Sequence, residues 1–166
     1  GVRDIHKNPI PRLGGIAIYF STIVLIIAVL FVDNNIGQYF RAKLPKLLTM
    51  FGSVTLIFII GLIDDLKGLP ARIKFFAELL AAGALCMAGV RIENLGITET
   101  WTLHLGASGC ILTILWIVGV TNAVNLSDGL DGLAAGISAI TCGVIAVFAI
   151  SSGSIIMAVL MLALLG

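Results

Sequence analysis

The chain has 166 residues, is 59% hydrophobic and 11% charged, and carries a formal net charge of +1 with a mean hydropathy of +1.13. A soluble domain of this length needs a far more charged surface, so the composition excludes one. The near-neutral balance, with no basic face carrying interleaved aromatics, excludes a nucleic-acid partner. An integral membrane protein remains.

The opening "GVRDIHKNPIPRLGG" lacks the short apolar core and cleavage site of a signal peptide. Apolar blocks long enough to cross a bilayer then follow at about 14–32, 47–63, 74–90, 108–125 and 132–150, with a sixth from 154 running to the last residue. Pro11 and Gly14–Gly15 punctuate the first entry, Asp33–Asn34–Asn35 closes the first span, and Ser151–Ser152–Gly153 turns the chain before the sixth. "ITETWTLHL" alternates polar and apolar residues, the pattern of a short extended hairpin. The fold expected is an all-α, multi-span helical membrane bundle: five complete spans, a sixth cut short and a small extracytoplasmic β-hairpin. The whole of 1–166 reads as a single membrane domain, expected to be incomplete at both ends.

The connecting loops sort by parity. One side carries Arg3, Lys7, Arg12, Lys67, Arg72 and Lys74; the other carries Arg41, Lys43, Lys46 and Arg91. The positive-inside rule places the first side in the cytoplasm. Cys86, Cys110 and Cys142 lie far apart in or beside apolar runs, with no CxxC spacing, and read as packing residues that say nothing of redox compartment.

Four of the nine acidic residues, Asp64, Asp65, Asp128 and Asp131, fall at two span ends on the cytoplasmic side. Charge beside hydrocarbon is costly and usually functional. Capping is the plain alternative, but it needs one Asp per helix end and not pairs. In "GLIDDLKG", Asp64 and Asp65 point about 100° apart on a helix and can line adjacent walls of one cleft. Mg²⁺ suits such a place, because a few carboxylates, water and phosphate oxygens complete its shell.

"TNAVNLSDGLDGLAAG" spaces Asn122, Asn125, Asp128 and Asp131 at steps of three. On one regular helix those four wind through about 180°, so acting together requires a break, which Gly129 and Gly132 permit. A calcium loop starting at Asn125 fails, because Leu130 takes the obligatory glycine position and Gly136 that of the bidentate Glu. "HKNPIPRLGG" adds His6, Lys7 and Arg12, which suit a phosphate-bearing ligand or anionic headgroups. For Lys7 and Arg12 ordinary topology is the alternative, and for His6 a solvated loop; His104, on the other side, gets no role.

The segments "HKNPIPRLGG", "GLIDDLKGLPARIKF" and "TNAVNLSDGLDGLAAG", in this order and at these separations, resemble the polyprenyl-phosphate N-acetylhexosamine-1-phosphate transferases. The Pro-x-Pro-Arg-x-Gly-Gly form of the first is closer to the GlcNAc-1-phosphate branch than to the phospho-MurNAc-pentapeptide branch. What the resemblance implies is a Mg²⁺-dependent transfer, with Mn²⁺ as a substitute, at the cytoplasmic face of a bacterial-type inner membrane. N-acetylhexosamine-1-phosphate moves from a UDP-N-acetylhexosamine to a polyprenyl phosphate, releasing UMP, as the first membrane step of cell-envelope glycan synthesis. The implied roles are metal binding for Asp64, Asp65 and Asn125, catalysis for Asp64, Asp65, Asp128 and Asp131, and substrate binding for Lys74, Asn125, Asp128, Asp131, His6 and Arg12. The partners implied are the sugar nucleotide, the lipid phosphate and membrane lipid, and a homodimer is compatible with them.

Members of that family are about twice this long, with a helix before the first motif and a Gly-Asp-x-Gly-Ser-type motif and a His-containing loop after the point where this sequence stops. The isolated 166 residues are therefore expected to be inactive. Two other readings stay open: an ion-coupled transporter, against which stand the one-sided acidic pairs and the lack of an inverted repeat, and a non-catalytic lipid-binding paralogue.

Overall fold

A computed structural model describes residues 14–96, 98, 101–128 and 132–165. In chain order these form α1 (Gly14–Phe31), α2 (Asn35–Ala42), α3 (Leu44–Lys67), α4 (Ala71–Met87), β1 (Asn94–Gly96), β2 (Thr102–His104), α5 (Ser108–Ser127), α6 (Leu133–Ser151) and α7 (Ile155–Leu165). Four of the helices, α1, α3, α5 and α6, are long and apolar enough to cross a bilayer. At 17 residues and with Arg72, Lys74 and Glu78 in its first half, α4 falls outside that class, and α7 is an apolar helix of 11 residues. The chain is thus an all-α, multi-pass membrane protein.

The packing inverts that of a soluble domain. Small side chains fill the helix contacts: Ala77, Ala81, Ala82 and Cys86 on α4, Ala146 and Ala149 on α6, and Ala158 on α7. Large ones point outward, such as Phe76, Ile140, Val147 and Phe148. In lipid there is no hydrophobic gain from hiding a leucine, so association relies on close backbone approach, which small residues allow.

Helix α4 packs between α3 and α5, while α7 joins α6 to α1 and α2. A buried knot of Ile26, Phe40 and Leu47 joins α1, α2 and α3. Helix α2 occupies what the sequence reads as a loop. It forms because Asn34 caps it, its side chain accepting from Gly37 N at 2.9 Å, and because Phe40 is fully buried beneath it. Arg41 Nη1 then donates to Leu30 O at 2.8 Å, serving the free carbonyls at the end of α1.

At the same end of the bundle the expected hairpin is present. Asn94 pairs with His104, Leu95 with Leu103 and Gly96 with Thr102. The hairpin is tied to α5 where Thr113 Oγ1 accepts from Ile92 N at 2.8 Å. One expectation is corrected at this end. Cys86 and Cys110 are joined in a disulfide, with Cα atoms 5.8 Å apart, and only Cys142 is free. The sequence spacing hides the pairing, because the hairpin between α4 and α5 folds 24 residues back on themselves.

Candidate active site at the α3–α4–α5 end

The acidic end of α3 is held by its own turn. Gly68, with φ +69°, closes the helix by donating its N–H to Asp64 O at 2.8 Å. That turn swings Leu69 N to 2.7 Å from Asp64 Oδ1. Pro70 then starts α4, and one turn along it Lys74 Nζ reaches Asp64 Oδ2 at 2.8 Å. Both partners of this ion pair are partly covered, at 27% and 29% side-chain exposure, so the short contact favours the pair while partial desolvation opposes the charges. Asp64 therefore has one bond on each oxygen, leaving lone pairs on both. Asp65 is exposed, one residue on, and turned about 100° away.

The second polar end is that of α5. Asn122 and Asn125 lie in its last two turns and Asp128 is its C-cap, its N–H bonded to Val124 O at 3.1 Å. The break that four polar residues at steps of three require is present: α5 ends at Ser127 and α6 begins at Leu133, with Gly132 left-handed at φ +74°. It falls after Asn125, so the two amides share one regular helix. Asn125 and Asp128 are exposed. Asp131, together with His6 and Arg12, lies outside the described residues.

Asn122 does something the sequence reading leaves out. Its Nδ2 donates to Glu78 Oε2 on α4, and also to Val118 O at 2.9 Å. Glu78 is buried at 6% exposure. Its signal in the sequence is a lone carboxylate inside the apolar block 74–90, four residues after Lys74. Lys74 and Glu78 are about 40° apart around α4, so one stripe of α4 meets Asp64 of α3 and, a turn deeper, Asn122 of α5.

Among the described residues no hydrogen bond or ion pair joins Asp64 to Asn125 or Asp128, and no three His, Cys, Asp or Glu side chains converge as a metal cage. The donor set that is present, two adjacent carboxylates at the end of α3 with Asp65 exposed, fits Mg²⁺, which is commonly held by one or two carboxylates with water and phosphate oxygens. Lys67, Arg72 and Lys74 lie at the same end. Carboxylates and cations so arranged can hold a metal-bound diphosphate and neutralise charge that develops on it.

The fold and this site define a polytopic membrane protein with carboxylates and cations gathered at the α3–α4 turn. The family model for glycosyl transferase family 4 matches residues 47–166, and the chain belongs to that family. It is 35% identical over 155 residues to a probable undecaprenyl-phosphate N-acetylglucosaminyl 1-phosphate transferase of Bacillus subtilis (strain 168), covering 93% of this chain and 40% of the relative. It is 36% identical over 156 residues to a decaprenyl-phosphate N-acetylglucosaminephosphotransferase of Mycobacterium leprae (strain TN), covering 89% and 37%. A phospho-N-acetylmuramoyl-pentapeptide-transferase of Thermodesulfovibrio yellowstonii (strain ATCC 51303 / DSM 11347 / YP87) is 35% identical over 170 residues, covering 93% and 44%. The chain thus spans about two fifths of the length of the relatives it matches. No solved structure matches it.

Proposed function

We propose that the protein carrying these residues transfers GlcNAc-1-phosphate from UDP-GlcNAc to a polyprenyl phosphate, releasing UMP, at the cytoplasmic face of a bacterial inner membrane. The observation that carries this is the pairing of Asp64 with Lys74 on α4, whose next turn bonds Asn122 of α5 through Glu78. The names of the relatives supply the acceptor and the sugar phosphate.

In this reading an oxygen of the lipid phosphate attacks the sugar-linked phosphorus of the UDP-sugar. A new P–O bond forms there, the bond from that phosphorus to the bridging oxygen breaks, and UMP leaves with the bridging oxygen. The second pKa of a phosphate monoester is about 6, so the nucleophile is already largely dianionic at neutral pH and needs no strong base. Asp64, Asp65 and Asn125 would hold Mg²⁺, which supplies charge neutralisation to the diphosphate when bound. Lys74, fixed by Asp64, presents its remaining N–H donors toward phosphate oxygens, while Asp128 and Asp131 orient the nucleotide. Phosphoryl transfer is catalysed mainly by such positioning and electrostatics.

Sidedness has two supports. Lys and Arg are in excess at the acidic end, and the Cys86–Cys110 disulfide lies at the opposite end, where an oxidising compartment would preserve it. The test is UMP release from UDP-GlcNAc by the full-length protein in liposomes containing undecaprenyl phosphate. Release that stops with a chelator and returns with Mg²⁺ or Mn²⁺ is the expected result; no release under those conditions overturns the reading. An ion-coupled carrier is the second reading, favoured by one observation, the buried Glu78 inside the bundle. It requires proton- or sodium-driven flux in the same liposomes.

A further inference from the structure

Glu78 belongs to neither acidic motif, and it is one of three buried polar or charged side chains among the described residues, with Ser53 and Thr113. The hydroxyls of those two close onto backbone: Ser53 Oγ donates to Ala81 O at 3.1 Å, and Thr113 Oγ1 donates to Gly109 O at 2.6 Å. Glu78 instead crosses to a side chain on another helix. Its partner Asn122 has both amide hydrogens accounted for, one on Glu78 Oε2 and one on Val118 O a turn back along α5. An amide held at both hydrogens has one orientation, so the bond fixes the rotation and height of α5 against α4.

Small side chains, Ala77 and Ala81 among them, are buried along α4 on either side of Glu78 in sequence. Small-residue interfaces pack closely but allow sliding and rotation, because one alanine replaces another with little change. A single polar contact with its carboxylate buried and its amide at the exposed edge of α5 removes that degeneracy, as polar core residues do in setting helix register. Its position matters. Asn122 lies one turn before Asn125 and two before Asp128, on a helix whose end carries both. On the other side, Glu78 lies one turn from Lys74, which holds Asp64.

We infer that Glu78 is a positioning residue: by accepting from Asn122 across the α4–α5 contact it sets how Asn125 and Asp128 are presented to the Asp64–Lys74 pair. It touches no reacting group. The inference rests on the transferase reading for its effect on rate, and on the α4–α5 contact alone for its effect on geometry. A displacement of about 1 Å in a catalytic constellation can cost about 100-fold in rate.

The experiment compares Glu78→Ala, Glu78→Gln, Asn122→Ala and the double variant in the full-length protein. Glutamine keeps an oxygen that accepts from Asn122, so Glu78→Gln stays within about threefold of the parent kcat. Glu78→Ala and Asn122→Ala each lower kcat about 10- to 100-fold, and the double variant is no worse than either, because both remove one bond. Spin labels at Leu66 and Leu126, which are 74% and 88% exposed, report the α3–α5 separation in a background where Cys142 and any other free cysteines are replaced. The distance distribution broadens or shifts in Glu78→Ala and keeps the parent form in Glu78→Gln. Ser53→Ala, which removes another buried contact to α4, lowers the melting temperature without moving distance or kcat.

Glu78→Gln as damaging as Glu78→Ala, additive losses in the double variant, or an unchanged distance distribution in Glu78→Ala overturns the inference. Should Glu78→Ala not fold, Asn122→Ala and Glu78→Gln carry the same comparison. Absence of UMP release by the parent protein counts against the transferase reading, and the distance comparison still decides the role of Glu78.

Discussion

Asp64 and Asp65 are adjacent in sequence and differ in what they can offer. Asp64 accepts from Leu69 N and from Lys74, and so organises the α3–α4 turn, while Asp65 is exposed beside it. Replacing Asp65 by Asn is expected to lower kcat by about 100-fold or more, since it withdraws charge from the position proposed to hold Mg²⁺. Lys74→Ala is expected to lower kcat/KM by about 10- to 100-fold. Its cost in stability is small, about 1 kcal/mol, because the ion pair is partly solvated. Initial rates of UMP release and detergent melting curves on the same preparations separate the two effects. The Asp64, Asp65 and Lys74 positions are legible in the sequence because they stand in one short run beside a span end. Glu78 is not, because its partner lies 44 residues away and only the stacking of α5 on α4 brings it near.

At the scale of elements, two glycines hold the chain in shapes a side chain disturbs. Gly132 starts α6 at φ +74°, and an alanine there meets open space but pays the left-handed penalty, about 1–2 kcal/mol. Gly37 in α2 is the opposite case: a Cβ would stand 2.0 Å from Val32 O, a backbone atom that cannot rotate away. Gly37→Ala is therefore expected to destabilise by about 1–3 kcal/mol through overpacking. Thermal unfolding of the two variants checks both; the activity of Gly132→Ala should also fall, since the residue shapes the break after Asp128. The break is legible, because four residues at steps of three wind through about 180° and cannot all share one face of a helix. Helix α2 was not: eight residues with a polar start and Arg41 near the end look like a loop until Phe40 is seen buried against Ile26 and Leu47. The Cys86–Cys110 bond was missed for the same reason, being a property of two helices brought side by side.

For the whole molecule, composition carried the fold class, since 59% hydrophobic content and four long apolar helices describe the same object. What composition leaves out is which ends face which compartment. A cysteine placed at Glu93, beside the hairpin, is expected to react with a membrane-impermeant maleimide in intact cells. One placed at Arg72, beside the acidic end, is expected to react only after permeabilisation. Reversal of that pattern would turn the site outward and remove it from a cytoplasmic sugar nucleotide. Helix α4 joins the two polar ends, carrying Lys74 to Asp64 of α3 and Glu78 to Asn122 of α5.

The most direct measurement is UMP formation by the purified full-length protein in liposomes supplied with UDP-GlcNAc, undecaprenyl phosphate and Mg²⁺, run beside Asp65→Asn. The expected result is release that depends on the lipid phosphate and on the metal and that falls about 100-fold or more in the variant. Absence of release by the parent protein, or an equal rate in Asp65→Asn, would contradict it.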